Sequence, residues 1–363
     1  MSNFFYIVDF NIKKLGGKSL GTRSKREALS KIFDLKFMSP ISNNIFYRTL
    51  YLVYAELSIF FIAFFNKKDI NIFLSRGMIG IFATKILSKT KNNLFVREVH
   101  AAPGEYKVIE ANFIKKFFIY FYEKVSFFID VSSDLRVFNH PHLLDHYKDL
   151  GINTTDDIFL FNGGSIYKNC SKEKKLLNLF ELKKSKTILA FTGSVSSWHN
   201  IEDIIRLQDE FDKNNDDVQI IVGGGQIRKE NIGNVMNISP LDEEGCNELI
   251  NFSDACLMPV NQNRISPGSP LKLYQYLLAS KPVITQANVI GYSDEVLKYK
   301  AGIEVDFSKI KDARHKIMNF IENDIKDTVS YLIKNKFNME ITWDDRMTNL
   351  KKTVLNHSKI NQD

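Results

Sequence analysis

The chain has 363 residues, 44% of them hydrophobic, which is enough for two compact domains with separate cores. Its net charge of +7 at pH 7 favours anionic partners such as nucleic acid, anionic lipid or phosphorylated small molecules. The sequence has no zinc-knuckle spacing and no repeated basic-aromatic module, so we expect no nucleic-acid partner. Cys170, Cys246 and Cys256 match no metal spacing and are expected to be reduced thiols.

The first half of the chain alternates short apolar runs with helical patterns, which predicts a parallel sheet covered by helices. Strands are predicted at residues 4–8, 37–38, 70–74, 94–99, 128–131 and 158–161, and helices between them include 47–65 and 113–127. The apolar run over 49–65 is short for a bilayer span and carries Glu56 near its middle, so we expect it not to cross a membrane. Because the first strand follows Met1 almost directly, we expect no signal peptide and a cytoplasmic protein.

A second series of strands and helices follows a lysine-rich stretch at 167–186. Strands are predicted at 187–191, 218–222, 255–259 and 282–285, helices at 200–214, 243–252 and 271–279, and a charged helical tail at 324–355. Two such series predict two Rossmann-like domains whose ligands bind in a cleft outside the carboxyl ends of the strands. We place the N-terminal domain at 1–165, a linker at 166–177, the C-terminal domain at 178–335, and a final helix and tail at 336–363.

The loop over residues 265–270 is rich in Gly, Ser and Pro and opens the helix predicted at 271–279. Pro270 suits a first helical turn because its missing N–H costs nothing there. The N–H groups of Leu271 and Lys272 would then be free at the helix start, where anions are favoured, and Lys272 adds a positive charge. On the residues alone, a diphosphate cradle and an ordinary capped helix both stay open.

Residues 265–284 resemble the donor-binding stretch of the family-4 retaining glycosyltransferases, group 1 enzymes with the GT-B fold, which reads roughly S-P-L-K-x-x-E-Y-x-A-x-G-K-P-V-I. Residues 191–200 resemble the first turn of the family's C-terminal domain. Residues 235–259 resemble the helix-then-strand unit before the donor loop. The resemblance extends from about residue 90 to about residue 300. It implies an α/β protein with two Rossmann-like domains facing across a cleft and a C-terminal helix that returns to the N-terminal domain.

The resemblance assigns catalytic roles to His100, Lys272 and His199. It assigns donor binding to Gly16, Gly17, Gly193, Ser194, Gly223, Gly224, Ser269, Pro270, Leu271 and Gln275. It also implies a hinge at the Asn-Gly pair of 162–163. Structural roles stay open for the two histidines and for the glycine turns.

Three positions depart from the family pattern. The glutamate expected to hold the donor ribose is Gln275, and the one that often contacts the donor sugar is Pro267. A glutamine can bind a hydroxyl, but without a charge it does so more weakly. The usual Lys-Gly pair is His199-Asn200, where His199 can still present a proton to a phosphate.

The helix predicted at 113–127 carries Lys115 and Lys116 on one stripe and Phe117, Phe118 and Phe121 opposite. A basic, aromatic helix of this kind can lie on an anionic membrane. Its apolar face can equally pack on the first sheet, and both interpretations stay open.

The resemblance implies transfer of a sugar from a nucleotide-sugar donor, with retention of configuration, to a glycan or lipid-linked glycan in surface polysaccharide biosynthesis. Family members need no metal, so we expect neither a metal nor another cofactor. We expect a cytoplasmic enzyme, with a peripheral contact on the inner face of the cell membrane. Two alternatives stay open: another GT-B enzyme such as a sugar-nucleotide epimerase, and a non-catalytic partner of a glycan-assembly complex. A dehydrogenase is disfavoured because no G-x-G-x-x-G follows the first strand.

Overall fold

The computed structural model describes residues 2–13, 17–66, 69–81, 92–105, 112–165, 183, 185–193, 199, 201–224, 233–262 and 268–360. Within these residues the chain forms two six-stranded sheets, and every described pair of neighbouring strands is parallel. The linker predicted at 166–177 lies outside the described residues.

The first sheet has the strand order β2-β1-β3-β4-β5-β6. Its strands are β1 Ser2–Val8, β2 Leu35–Met38, β3 Ile70–Arg76, β4 Asn93–Val99, β5 Leu135–Phe138 and β6 Ile158–Phe159. Its helices are α1 Gly17–Ser30, α2 Ile45–Phe65, α3 Phe113–Ser132 and α4 Pro141–Asp149.

The second sheet has the order β12-β11-β10-β7-β8-β9. Its strands are β7 Thr187–Gly193, β8 Val218–Gly224, β9 Met236–Asn237, β10 Ala255–Met258, β11 Val283–Gln286 and β12 Gly302–Val305. The helices of this half are α5 Ile201–Lys213, α6 Glu243–Phe252, α7 Leu271–Leu278, α8 Ser293–Lys298, α9 Ile310–Asn323 and α10 Ile325–Asn335, and the chain ends with α11 Trp343–Ile360.

The last helix, α11, packs on the first sheet rather than the second. Its Trp343, Met347 and Leu350 are buried in the core that contains Val8 and Leu74. Helices α2 and α3 cover the opposite face of that sheet. The predicted fold class, with two Rossmann-like domains and a helix that returns to the first, is therefore confirmed.

The strand predicted at 128–131 is wrong, because these residues form the last turns of α3. The helix ends only at Ser133, whose N–H bonds the carbonyl oxygen of Asp130. The true strand, β5, was missed because Arg136 interrupts its apolar pattern. The Arg136 guanidinium is nevertheless buried, since its Nε lies 2.7 Å from the Asp157 carboxylate.

Helix α2 is longer than the apolar run from which it was predicted. It has 21 residues and is long and apolar enough to cross a membrane. Only 17% of its most apolar window is buried. Glu56 turns inward, and its Oε1 accepts the N–H of Ile81 at 3.0 Å. The helix packs on the sheet through a narrow face that includes Ala55 and Ile59, and most of its residues are not buried. Its length therefore differs from our expectation of a run too short to span a bilayer.

Candidate functional site

The two domains meet where α1 and α7 begin. A Cβ atom placed on Gly21 would lie only 2.8 Å from Leu271 Cδ1, and one on Gly17 would lie 3.8 Å from it. Nearby, Arg23 Nη2 lies 3.1 Å from Glu243 Oε2 across the same cleft. The first turns of α1 therefore face the predicted donor helix. Of the two glycines near this helix that were assigned to the donor, Gly17 is the first residue of α1 and Gly16 lies outside the described residues.

Lys272 lies in the first turn of α7 and points toward the end of β7. Its ammonium nitrogen is 3.2 Å from His199 Nε2 and 4.1 Å from the centroid of the Phe191 ring. A Cβ on Gly193 would lie 3.1 Å from that nitrogen, so the glycine leaves room for the ammonium. Desolvation lowers the pKa of Lys272 to about 7. The site therefore holds a cation that an incoming anion would stabilise.

His199 is held from both ring nitrogens. Its Nδ1 lies 3.3 Å from the carbonyl oxygen of Pro259, and a carbonyl can only accept, so Nδ1 carries the proton. Its Nε2 then accepts from the Lys272 ammonium in the neutral ring. The ring does not face solvent, because it is half-buried, faces Lys272 and contacts Phe191 edge-on.

The ends of β7 and β8, next to Lys272 and His199, are glycines, and we call this backbone surface without side chains the glycine floor. Gly193 and Gly224 pair directly and have φ values of +143° and +133°. A Cβ on Gly224 would lie 2.4 Å from the carbonyl oxygen of Gly193, so a side chain does not fit there. Gly223 serves packing instead, since its Cβ would lie 2.5 Å from Leu241 Cδ1 in the core. Ser194 lies outside the described residues.

The loop before α7 differs from the prediction in one detail. Pro270 occupies the N-cap position with ψ 125° and not the first helical turn, while the helix begins at Leu271 as predicted. The N–H groups of Leu271 and Lys272 then belong to the first turn, where no carbonyl lies four residues back in the helix. Gln275 is half-buried and lies one turn beyond Leu271, so the two side chains are neighbours on the helix surface. Pro267 lies outside the described residues.

Ser269 joins the loop to the interdomain junction. Its buried hydroxyl oxygen accepts the N–H of Asn162 at 2.8 Å and lies 2.8 Å from the Tyr274 hydroxyl. Tyr274 in turn donates to Glu295 at 2.6 Å. These contacts occupy the Ser269 hydroxyl, which places it among the groups that position the loop. This network was not predicted, because its members are far apart in the sequence.

His100 follows the carboxyl end of β4 in the N-terminal domain. Its Nε2 lies 3.2 Å from the Glu98 carboxylate, whose other oxygen is 2.6 Å from Lys25 Nζ. Burial and the charge of Arg76 lower the pKa of His100 to about 3, so the ring is neutral and Nε2 donates to Glu98. Nδ1 is then an acceptor. A cavity of about 240 Å³ opens beside the ring, with Lys18 also in its lining.

Glu98 and Lys25 hold the candidate residue His100 in place, and the sequence prediction missed both of them. Burial alone would raise the pKa of Glu98, but Lys25 and the hydrogen bond from His100 together hold it well below its usual range. Glu98 lies two residues before His100, near the end of β4. Its partner on α1, 73 residues away, carries no pattern that links the two.

No group of three His, Cys, Asp or Glu side chains within the described ranges is placed to hold a metal ion.

Residues 172–339 match the family model of glycosyl transferases group 1. Three solved structures are similar over nearly the whole chain. WaaG, a glycosyltransferase involved in lipopolysaccharide biosynthesis, is 12% identical with a TM-score of 0.68, and the match covers 96% of this chain and 98% of that one. A glycosyltransferase from Rickettsia africae is 16% identical with a TM-score of 0.60 and 97% coverage of both chains. Anabaena HepE in complex with UDP and glucose is 11% identical with a TM-score of 0.63, covering 96% of this chain and 98% of that one.

No curated protein matches the chain by sequence. At these identities the structural likeness shows the fold, while the family model covers the domain that contains Lys272, His199 and the glycine floor. The C-terminal domain therefore belongs to the group 1 glycosyl transferases over residues 172–339, and the chain is a glycosyltransferase with the GT-B fold.

Proposed function

We propose that the enzyme transfers a sugar from a nucleotide-sugar donor to a glycan or lipid-linked glycan, with retention of the anomeric configuration. The observation that carries the proposal is the cluster at the start of α7. There the Lys272 ammonium, the His199 ring and two helix N–H groups surround a backbone floor without side chains. A diphosphate fits such a site. The structural neighbour HepE, in complex with UDP and glucose, supports this donor class.

Charge grows on the diphosphate as the bond to the sugar breaks, and the cluster lies where that charge develops. The pKa of Lys272 is about 7 without a ligand. A bound diphosphate favours the ammonium form, so its charge becomes fully available during the reaction. With these groups to neutralise the leaving group, the proposed reaction uses no metal.

His100 supports a front-face route rather than a covalent one. Its neutral ring presents Nδ1 as an acceptor for a sugar hydroxyl, which would fix the reacting carbon. The adjacent Glu98 is held by Lys25 and His100, so it is a positioning group and not a free nucleophile. In the proposed step the acceptor oxygen bonds to the anomeric carbon as the bond to the phosphate oxygen breaks. That phosphate oxygen takes the acceptor proton.

We infer that the enzyme works as a peripheral protein on the inner face of the cell membrane, on a surface glycan or its lipid-linked precursor. The first turns of α3 are exposed, and both Lys115 and Lys116 lie among exposed aromatic side chains such as Phe117 and Phe118. Only the later part of the helix, with Val125 and Ile129, packs on the sheet. This division favours membrane contact by the first half of α3.

Two measurements test the proposed reaction. A thermal-shift panel of nucleotide sugars should identify the donor, because a ligand that binds the native state raises the melting temperature. NMR of the product formed from that donor and an extract of membrane glycolipids should show the donor's anomeric configuration. An inverted product would contradict the proposal. Conversion of the nucleotide sugar without an acceptor would indicate an epimerase, and binding without turnover would indicate a non-catalytic partner.

A further inference from the structure

An open groove of about 880 Å³ runs along the N-terminal domain between α2 and the strand β2. Most of its lining is aromatic or aliphatic, and Lys36 is the one charged residue among the described residues that line it. The apolar lining includes Phe37, Met38, Leu50, Tyr54, Phe61 and Ile62. The groove is therefore an apolar site on the outside of the protein, in the size range of about 300–1,000 Å³ that ligand pockets have.

The open side of the groove follows from its place in the sheet. β2 lies at the edge of the described sheet, so no further strand flanks it there. Within Ile45–Phe65, all of which the structure describes, no exposed residue is charged. The two charged residues of this helix turn inward, Arg48 to Asp9 and Glu56 to the N–H of Ile81. An uncharged apolar surface of this extent marks an interaction site.

The shape of the groove suits a hydrocarbon chain. Its lining along α2 extends from Tyr47 to Ile62, which is about 22 Å at 1.5 Å per residue. This exceeds half of the roughly 30 Å hydrocarbon thickness of a bilayer. An extended chain of lipid length could therefore lie along the helix.

One end of the groove lies at the edge of the sheet that faces the cleft. Ile41, which lines this end, follows β2, and its carbonyl oxygen accepts from the side-chain amide of Asn11 after β1. The carboxyl ends of β1 and β2 meet at the same edge of the sheet as His100. An occupant of the groove would thus leave its head group facing the cleft.

The cleft end carries excess positive charge. Arg48 Nη2 lies 2.5 Å from the buried Asp9 carboxylate, and Lys18 Nζ and Arg76 Cζ lie 3.9 Å and 5.6 Å from the centroid of the adjacent Phe10 ring. Of the charges described around Asp9, these cations outnumber the carboxylate. An anionic head group is therefore favoured at this end, next to an apolar site for its chain.

We propose that the groove binds the hydrocarbon chain of an acceptor glycan linked to a lipid phosphate, with the phosphate at the cleft end. The proposal rests on the proposed glycosyl transfer and identifies the chemical class of its acceptor. It makes α2 a determinant of acceptor choice, separate from the contact of α3 with the membrane.

The test measures binding of dodecyl phosphate below its critical micelle concentration by calorimetry, with butyl phosphate as the short-chain control. We expect dodecyl phosphate to bind roughly tenfold or more tightly, because its chain buries more apolar surface. Dodecyl maltoside, which has the same chain and a neutral head, should bind less tightly than dodecyl phosphate. Equal affinity for the two phosphates would overturn the chain site, and equal affinity for the two dodecyl compounds would overturn the phosphate end.

Matched variants localise the chain. Ser58→Trp fills the groove and should abolish the preference for dodecyl phosphate, whereas Leu57→Trp changes an adjacent residue outside the groove and should keep it. If Ser58→Trp does not fold, Tyr54→Ser and its exposed neighbour Val53→Ser give the same comparison. Equal effects within a pair would mean a general contact of α2 with lipid and would overturn the groove.

Donor binding separates this proposal from the proposed function. A normal thermal shift with the nucleotide-sugar donor, together with no chain preference, would reject the groove alone. No shift with any nucleotide sugar would reject the proposed donor chemistry, whatever dodecyl phosphate does.

Discussion

Lys272 illustrates how the charge of a candidate catalytic residue lowers the stability of the free protein. Its partial burial lowers its pKa from 10.5 to about 7. Between these values the unfolded chain binds more protons than the folded one, so the contribution of Lys272 to the free energy of unfolding rises with pH. Below pH 7 Lys272 is charged in both the folded and the unfolded state, so the desolvation of its charge lowers the free energy of unfolding by a constant amount. Donor binding has the opposite dependence, because the diphosphate needs the ammonium form.

We therefore predict that Lys272→Met removes this pH-dependent part of stability while reducing transfer on the order of a hundredfold. Urea unfolding between about pH 7 and 10 should show a flatter pH profile for the variant than for the parent. In the parent, donor affinity should fall as pH rises above about 7. Normal turnover by a folded Lys272→Met protein would contradict the role assigned to this residue.

The sequence located Lys272, His199 and His100 because each lies in a short local motif. It did not reveal what holds them, since Lys25 and Glu98 are joined only by the packing of α1 on the sheet. For the same reason, the donor role predicted for Ser269 did not foresee its bonds to the domain junction. A local sequence pattern can identify a candidate site residue, but the residues that bond to it are brought together only by tertiary contacts.

At the scale of elements, the aromatic helices of the N-terminal domain were read correctly as helices but not in their extent. The apolar period of α3 continues past residue 127 without a breaker, which is why its last turns looked like a strand. Most strands and the first helices of the C-terminal domain were easier to predict, because clear turns separate its apolar runs. The short strands β9 and β12 were missed, since two to four residues carry little pattern, and the helices α8 and α9 were missed as well.

If α3 binds an anionic membrane, reversing the charge of its first turn should abolish the interaction. We predict that Lys115→Glu with Lys116→Glu prevents co-sedimentation with anionic liposomes at low salt, and that salt weakens binding of the parent. Acidic residues suit the first turn of a helix, so the fold should persist. Lys311→Glu with Lys316→Glu, exposed on α9, is the control with the same net charge and should bind normally. Equal binding by both variants would exclude this role of α3.

At the scale of the whole molecule, the proposed transfer requires the two domains to approach closely. Gly21 on α1 provides room for Leu271 on α7, so a larger side chain there should keep the cleft from closing. The bare nucleotide binds to the C-terminal domain in this proposal, and its affinity should not depend on closure. The Arg23 and Glu243 pair across the cleft is partly exposed and contributes little by comparison.

We predict that Gly21→Leu lowers kcat/KM by about tenfold or more without weakening nucleoside diphosphate binding, because it misplaces the acceptor domain. Leucine is a good helix former, so α1 itself should not be destabilised. Combining it with Leu271→Ala restores space and should recover part of the activity, which a double-mutant cycle would measure. Additive losses in the cycle would show that the two residues do not limit closure.

The return of α11 to the first sheet also sets an order in which the protein can be made. Trp343, Met347 and Leu350 complete a core whose other walls, including Val8 and Leu74, leave the ribosome far earlier. At roughly 5–20 residues per second, the interval between β6 and α11 is on the order of 10–40 s. During that time one face of the nascent first sheet lacks its final cover. The second domain must therefore be synthesised while the first is still incomplete, and that exposed face is where a chaperone would be expected to bind.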